Sequence, residues 1–236
     1  MTTFITTVLS LVFLKLACCL KQPPTNGHSM SGASSGLVIN TTDGMVRGYR
    51  RQLNNGQVIR SWLSIPFAEK PLGKLRFRPP QPIKRWKDIK DTSTPPPACP
   101  QMLLNPLTDA NITNTSEDCL YLNIFSPEMK SEKLYPVMIW IHPGGFNRGS
   151  SLMVDPARIS IEEEIIMVTL QYRLGALGFL YLDKNPFHES EEVYTNIGLR
   201  DQVAAIEWIS QNIMAFGGDP TRITLFGSEV WFDLQQ

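Results

Sequence analysis

Short apolar runs separated by turn residues fill the first part of the folded region and predict β-strands. Three such runs lie at 37–39, 45–51 and 58–63, and Asn55-Gly56 between the last two indicates a hairpin turn. Residues 66–100, which follow, are rich in proline and predict an extended loop. We therefore expect a small antiparallel unit at the start of the domain.

Longer apolar runs further along the chain predict an α/β core. Strands are expected at 119–125, 137–141, 165–170 and 223–226, and the second is apolar at every position, as expected of a strand covered on both faces. Residues 197–214 carry apolar side chains at helical spacing and end near Gly217-Gly218. Strand, long helix and strand form a βα unit, so we expect a mostly parallel central sheet.

The composition is that of a globular protein. The chain has 236 residues, of which 42% are hydrophobic and 19% charged, so disorder is excluded for most of it. Twenty-two basic residues balance twenty-two acidic ones, and nothing in this balance points to a nucleic-acid partner.

The N-terminus has the pattern of a secretory signal peptide. An apolar run over 8–20 ends in small residues and is too short to anchor the chain stably in a bilayer. We expect a signal peptide at 1–20, a flexible Pro/Ser/Gly-rich leader at 21–36, an extracellular location and no stable membrane span.

Cysteines and glycosylation sequons fit the same compartment. Cys99 and Cys119 are the only cysteines beyond the predicted signal peptide, and secretion makes a disulfide between them the default. Sequons place candidate glycans at Asn40, Asn111 and Asn114. Two of these sequons lie between the cysteines, which predicts that this loop is exposed.

The first candidate for chemistry is the loop His142-Pro143-Gly144-Gly145-Phe146, which directly follows the apolar strand at 137–141. Consecutive glycines let backbone N–H groups turn outward, as an oxyanion hole requires. A tight glycine turn is the alternative. The position after a buried strand, and well before a strand that ends in Phe-Gly, favours the oxyanion hole because lipases and esterases place such a loop there.

Many motifs share one order with a known family. They are Ile65-Pro66-Phe67-Ala68, Leu75-Arg76-Phe77, Ser116-Glu117-Asp118-Cys119-Leu120-Tyr121-Leu122-Asn123, Tyr172-Arg173-Leu174-Gly175, Asn196-Ile197-Gly198-Leu199-Arg200-Asp201-Gln202 and Gly217-Gly218-Asp219-Pro220. Over residues 37–228 the chain resembles the N-terminal part of the type-B carboxylesterases, which include cholinesterases and neuroligins. The resemblance implies the N-terminal half of an α/β-hydrolase fold, with an antiparallel strand unit preceding a mostly parallel sheet.

The resemblance also implies roles for several residues. They are oxyanion-hole donors at Gly144 and Gly145, a family disulfide between Cys99 and Cys119, and buried structural ion pairs between Arg76 and Glu117 and between Arg173 and Asp201. Pro143 replaces a glycine usual in the family and removes one N–H. A small-molecule carboxylic ester is the substrate expected of a complete relative, with no cofactor and no metal.

Two departures make choline esters an unexpected substrate. Cholinesterases hold the quaternary ammonium on a tryptophan in the loop that this disulfide closes, and residues 99–119 contain no tryptophan. Position 147, a tyrosine in many cholinesterases, is Asn147.

The nucleophile elbow departs most strongly from the family pattern G-x-S-x-G. The sequence reads Gly227-Ser228-Glu229-Val230-Trp231, so Glu229 stands at the nucleophile position and residues 229–236 form a divergent tail. The acid and histidine of a hydrolase triad follow the elbow in chain order, whereas His28, His142 and His188 precede it. We expect a domain truncated at the elbow strand and inactive as it stands. A neuroligin-like adhesion protein, with a protein partner, and a truncated secreted decoy are the alternatives.

Overall fold

The computed structural model describes residues 37–102, 112, 114–128, 133–182 and 194–227. The predicted signal peptide, leader and divergent tail lie outside the described residues, as do Asn111 and Ser228. The helices and strands, in chain order, are β1 (Val38–Asn40), β2 (Met45–Arg47), β3 (Tyr49–Gln52), β4 (Val58–Pro66), a 3₁₀ turn (Gly73–Leu75), β5 (Lys90–Asp91), β6 (Tyr121–Pro127), β7 (Tyr135–Ile141), α1 (Ala157–Glu162), β8 (Ile166–Leu170), α2 (Gly175–Phe179), α3 (Ile197–Asn212), a second 3₁₀ turn (Ile213–Phe216) and β9 (Gly218–Gly227).

A six-stranded sheet in the order β3-β4-β6-β8-β7-β9 forms the centre of the described fold. The three pairs from β3 to β8 are antiparallel, and β7 is parallel to both of its neighbours. Within the described residues the sheet is therefore mixed, and the expectation of a mostly parallel sheet holds only around β7. The predicted hairpin between the second and third runs is confirmed as the antiparallel pair β3–β4.

Apolar side chains of β7 and β8 lie in the hydrophobic cores on both faces of this sheet. Val137, Ile139 and Ile141 belong to a core cluster that also contains Trp208 and Ile209 of α3. On the opposite face, Met167 of β8 belongs to a second cluster with Ala157 and Ile159 of α1, and the partly buried Met138 packs against this cluster. Helices cover both faces of the sheet, which explains the apolar sequence of β7, because no side chain of a strand buried on both faces contacts water.

The structure corrects the prediction of one continuous strand over residues 45–51. Gly48 interrupts it, so β2 joins β1 and β5 in a separate three-stranded sheet whereas β3 joins the large sheet. A side chain at Gly48 would overlap the Ser61 carbonyl and the Trp62 ring, so only glycine lets the chain cross β4 here. The short strand β5, parallel to β2, lies in the region predicted to be loop.

The predicted long helix is confirmed as α3, extended by the 3₁₀ turn Ile213–Phe216. Gly217 then adopts a left-handed conformation with φ 93°, which ends the helix as its position in the sequence suggested. None of the helices in the described ranges combines the length and the apolar character needed to cross a bilayer.

Candidate functional site: a glycine loop at the end of a central strand

The loop after β7 adopts a backbone conformation that depends on glycine. Gly144, Gly145 and Phe146 have φ values of 129°, 56° and 60°. A Cβ on Gly144 would overlap the carbonyl oxygen of Arg148, whereas a Cβ on Gly145 would meet no atom within 4 Å. The loop is therefore folded tightly around Gly144 and open on the side of Gly145.

Hydrogen bonds inside the loop occupy its carbonyl groups. Asn147 and Arg148 donate their backbone N–H groups to the Gly144 oxygen at 3.1 and 3.2 Å. The Asn147 amide donates to the Gly145 oxygen at 2.9 Å, and Gly175 N–H donates to the Phe146 oxygen at 2.7 Å. Among the described residues, no hydrogen bond uses the N–H of Gly144 or Gly145. These two adjacent N–H groups therefore have no acceptor among the described residues.

The register of the sheet places this loop beside the end of β9. Ile141 of β7 and Gly227 of β9 are directly paired across the parallel strands. Because parallel strands carry their carboxyl ends to the same edge, the glycine loop leaves the sheet beside Gly227. Ligands of open α/β sheets bind at this edge.

His142, the first residue of the loop, is fully buried and neutral. Its ring stacks on Tyr172 with a centroid distance of 4.2 Å, and the Tyr172 hydroxyl donates to the His142 carbonyl oxygen at 2.9 Å. Burial lowers the pKa of His142 to about 4, although the Pro143 oxygen close to Nδ1 opposes the shift. Its Nε2 has no hydrogen-bond partner among the described residues. His142 is thus a core residue beneath the loop.

The loop closes on itself at Gly149, which sequence reasoning missed. A Cβ on Gly149 would overlap the His142 ring and the Pro143 oxygen. The Gln101 amide accepts a hydrogen bond from Gly149 N–H at 2.8 Å and donates to the Gly149 and Cys99 oxygens at 2.7 and 3.0 Å. Gln101 is two residues after Cys99, but nothing in the sequence identifies Gly149 as its partner.

Cys99 and Cys119 form a disulfide, which fixes the two ends of the adjoining loop. Asn114 lies in this loop with an exposed side chain, and Asn40 is exposed at the end of β1. Both sequon asparagines in the described residues are therefore accessible.

The two expected ion pairs differ in burial. Arg173 and Asp201 form two side-chain hydrogen bonds of 2.8 and 2.7 Å, with exposed side-chain fractions of only 3% and 0%. Arg76 and Glu117 form a similar bidentate pair, but 48% and 27% of these side chains are exposed. Both expected pairs form, but burial is found for Arg173 and Asp201 only, because Arg76 and Glu117 lie in two separate segments at the surface.

The different surroundings of the two loop glycines lead to a testable contrast. We expect Gly144→Ala to lower the free energy of unfolding by roughly 3 kcal/mol, since a left-handed backbone and an overlap with backbone atoms both oppose the new methyl group. Gly145→Ala is the matched control. Gly145→Ala should lower the free energy of unfolding by only about 1 kcal/mol, since the left-handed backbone conformation alone opposes the methyl group. Urea unfolding of the two variants measures the difference, and equal losses would contradict the tight packing of Gly144.

Comparison with known proteins assigns the chain to a family. The model of the carboxylesterase family matches residues 35–230. Para-nitrobenzyl esterase of Bacillus subtilis is 42% identical over 193 residues, which are 80% of this chain and 37% of that protein. Carboxylesterase 1D of Mus musculus is 39% identical, over 92% of this chain and 38% of its own length. Neuroligin-2 of Mus musculus is 38% identical, over 87% of this chain and 28% of its own length.

Solved structures agree with this match. A thermophilic PNB esterase superposes with a TM-score of 0.71 at 41% identity, and the match covers 80% of this chain and 38% of that one. The α/β-hydrolase fold class expected from the sequence is confirmed. The chain spans between 28% and 38% of the length of these relatives. The matching family model, the sequence identities and the shared fold together show that this chain belongs to the carboxylesterase family.

Proposed function

We propose that this chain forms the scaffold and the oxyanion-binding part of a secreted carboxylic-ester hydrolase. One observation carries the proposal: the N–H groups of Gly144 and Gly145 are free among the described residues, at the carboxyl end of a central strand paired to the strand that leads to the elbow. A small-molecule carboxylic ester is the substrate class, because its carbonyl oxygen becomes an anion during acyl transfer.

The chemistry of the loop follows from its geometry. Attack on an ester carbonyl places a negative charge on the carbonyl oxygen, and two preorganised N–H donors stabilise that charge at no cost of reorganisation. Loss of one such donor lowers kcat by roughly 10² to 10³ in a serine hydrolase. Pro143 cannot contribute a donor, so the adjacent N–H groups of Gly144 and Gly145 are the proposed donors of this loop.

Serine-dependent turnover requires a nucleophile at the centre of the elbow. Glu229 stands at that position, and the flanking second glycine is replaced by Trp231. We infer that a chain with this elbow has no ester hydrolase activity by the family mechanism. Choline esters are not proposed as substrates, since Asn147 replaces the tyrosine of many cholinesterases.

Secretion forms part of the same proposal. The disulfide between Cys99 and Cys119 and the exposed sequon asparagines Asn40 and Asn114 suit an oxidising compartment with glycosylation. The apolar segment at 8–20 provides the signal peptide in this interpretation.

An adhesion or binding role is the second candidate. Neuroligin-2 is among the similar proteins, and the substituted elbow of this chain suits a protein that binds a partner without hydrolysing an ester. The transcript beyond codon 227 distinguishes the two: G-x-S-x-G with a later histidine supports the hydrolase, whereas a substituted elbow with a membrane-spanning segment supports adhesion.

An aryl acetate assay tests the hydrolase proposal. We expect the purified chain to release 4-nitrophenol from 4-nitrophenyl acetate no faster than its Ser228→Ala variant. We expect a chimera in which residues 37–227 replace the matching part of para-nitrobenzyl esterase to hydrolyse the ester. If the chain hydrolyses the ester and Ser228→Ala abolishes that activity, the inference that the chain lacks a nucleophile is wrong. A folded but inert chimera would contradict the proposed role in ester hydrolysis.

A further inference from the structure

We infer that Gln101 is a positioning residue for the glycine loop and that it links this loop to the disulfide between Cys99 and Cys119. The inference rests on the proposed function, since it concerns how the oxyanion donors are held. Gln101 lies two residues after Cys99 and outside the loop that it contacts. Its side chain, not its backbone, makes the connection.

The Gln101 amide binds Gly149 as a neighbouring strand would. Its oxygen accepts from the Gly149 N–H at 2.8 Å, and its nitrogen donates to the Gly149 carbonyl at 2.7 Å. The same nitrogen donates to the Cys99 oxygen at 3.0 Å. Three of the four hydrogen bonds that a glutamine side chain can form are therefore made at this one place. Few side chains could replace it, because both a donor and an acceptor are needed.

Gly149 passes this constraint to the front of the loop. Its φ is 123°, and its Cα lies so close to His142 and Pro143 that a methyl group would overlap both. His142 and Pro143 directly precede the donors Gly144 and Gly145. A displacement of Gly149 therefore moves the residues on which the two free N–H groups depend.

Buried partners fix the chain immediately after Gly149. Gln171 is fully buried, accepts from the Ser151 N–H at 3.2 Å and donates to the Ser150 hydroxyl at 3.0 Å. Residues 150–151 are thus tied to the sheet, whereas Gly149 is tied to the disulfide loop through Gln101. Gly149 is the point where both constraints meet, so loss of Gln101 should loosen the loop and leave the sheet intact.

Amide hydrogen exchange of the intact chain, measured by NMR, tests the inference. Asn147 and Arg148 are suitable reporters because their N–H groups bind Gly144 and make no contact with Gln101. In Gln101→Leu we expect their exchange to rise at least tenfold, and the ¹⁵N–¹H signals of Gly144 and Gly145 to shift. Amides of β7 should change far less. Met102→Ala, at the exposed neighbouring position, is the matched control and should change none of these values.

Two outcomes would overturn the positioning role. They are unchanged exchange at Asn147 and Arg148, or a rise equal to that of the β7 amides, which would report only a loss of global stability. If Gln101→Leu does not fold, Gln101→Glu decides the question. Its carboxylate cannot donate to the Gly149 oxygen at pH 7, so exchange at the reporters should exceed that of the wild type there and approach it when the carboxyl group is protonated. Reporter exchange in Gln101→Glu that equals the wild type at pH 7 would also overturn the role.

The link to the disulfide is tested by a double-mutant cycle. Replacement of Cys99 and Cys119 by serine should raise exchange at the same reporters in the wild type and add little in Gln101→Leu. Additive effects would overturn the link. These readouts do not depend on ester turnover. An inert chimera would therefore refute the proposed function and leave this inference standing. An active chimera, together with unchanged exchange at Asn147 and Arg148 in the Gln101→Leu variant of this chain, would refute only the inference.

Discussion

Replacing Asp201 by asparagine is expected to lower the free energy of unfolding by about 3–5 kcal/mol. Arg173 would remain buried as an uncompensated cation, because its exposed fraction is 3% and its two side-chain hydrogen bonds to Asp201 supply the only carboxylate that it contacts among the described residues. Burial raises the pKa of Asp201, and Arg173 opposes that rise. Urea unfolding at pH 7 measures the loss.

Glu117→Gln is the matched control for this prediction. It breaks a bidentate pair of the same chemical type with Arg76, but both side chains are partly exposed and water replaces the lost partner. We expect a much smaller change in unfolding free energy, since surface ion pairs contribute little. Similar losses in the two variants would show that burial does not set the strength of these pairs.

Acidification is expected to destabilise the fold through His142. Its pKa is about 4 in the folded chain and ordinarily 6.5, so the unfolded state binds the proton more readily. The stability gained from the neutral ring is fully present above pH 6.5 and is lost as the pH falls toward 4. Between pH 7 and pH 4.5 the loss from this residue amounts to roughly 2–3 kcal/mol.

His142→Phe separates this effect from other acid-sensitive groups. The phenyl ring keeps the stacking on Tyr172 and does not titrate. Urea unfolding of both proteins at pH 7 and pH 4.5 should show a smaller pH-dependent loss in the variant by about the amount given above. Identical losses would mean that His142 is not the group that titrates.

Much of the fold follows from local pattern. The uninterrupted apolar run of β7 predicts burial on both faces, and the spacing of α3 and the glycine after it predict the helix and its end. The prediction of a single strand over residues 45–51 fails at Gly48, because the residues before and after it belong to two different sheets. No local signal marks that division, because the cause is the close approach of β4.

The candidate site was predictable only in part. The glycine pair after β7 and its likeness to family motifs point to Gly144 and Gly145 from the sequence. Burial was expected for both ion pairs and is found only for Arg173 and Asp201. A sequence motif can indicate that two charged residues pair, but it does not show whether other segments of the chain cover them. Gln101 escaped notice because its partner lies 48 positions further along the chain.

The amino-acid sequence alone determined the long strands of the central sheet, the long helix and the place of the glycine loop, because periodicity and glycine act over a few residues. Only the tertiary structure decided that Ile141 lies beside Gly227, that Gln101 holds Gly149, and that His142 is buried and neutral. These properties depend on strand register, long-range hydrogen bonds and desolvation, and each of them requires residues distant in sequence to pack together.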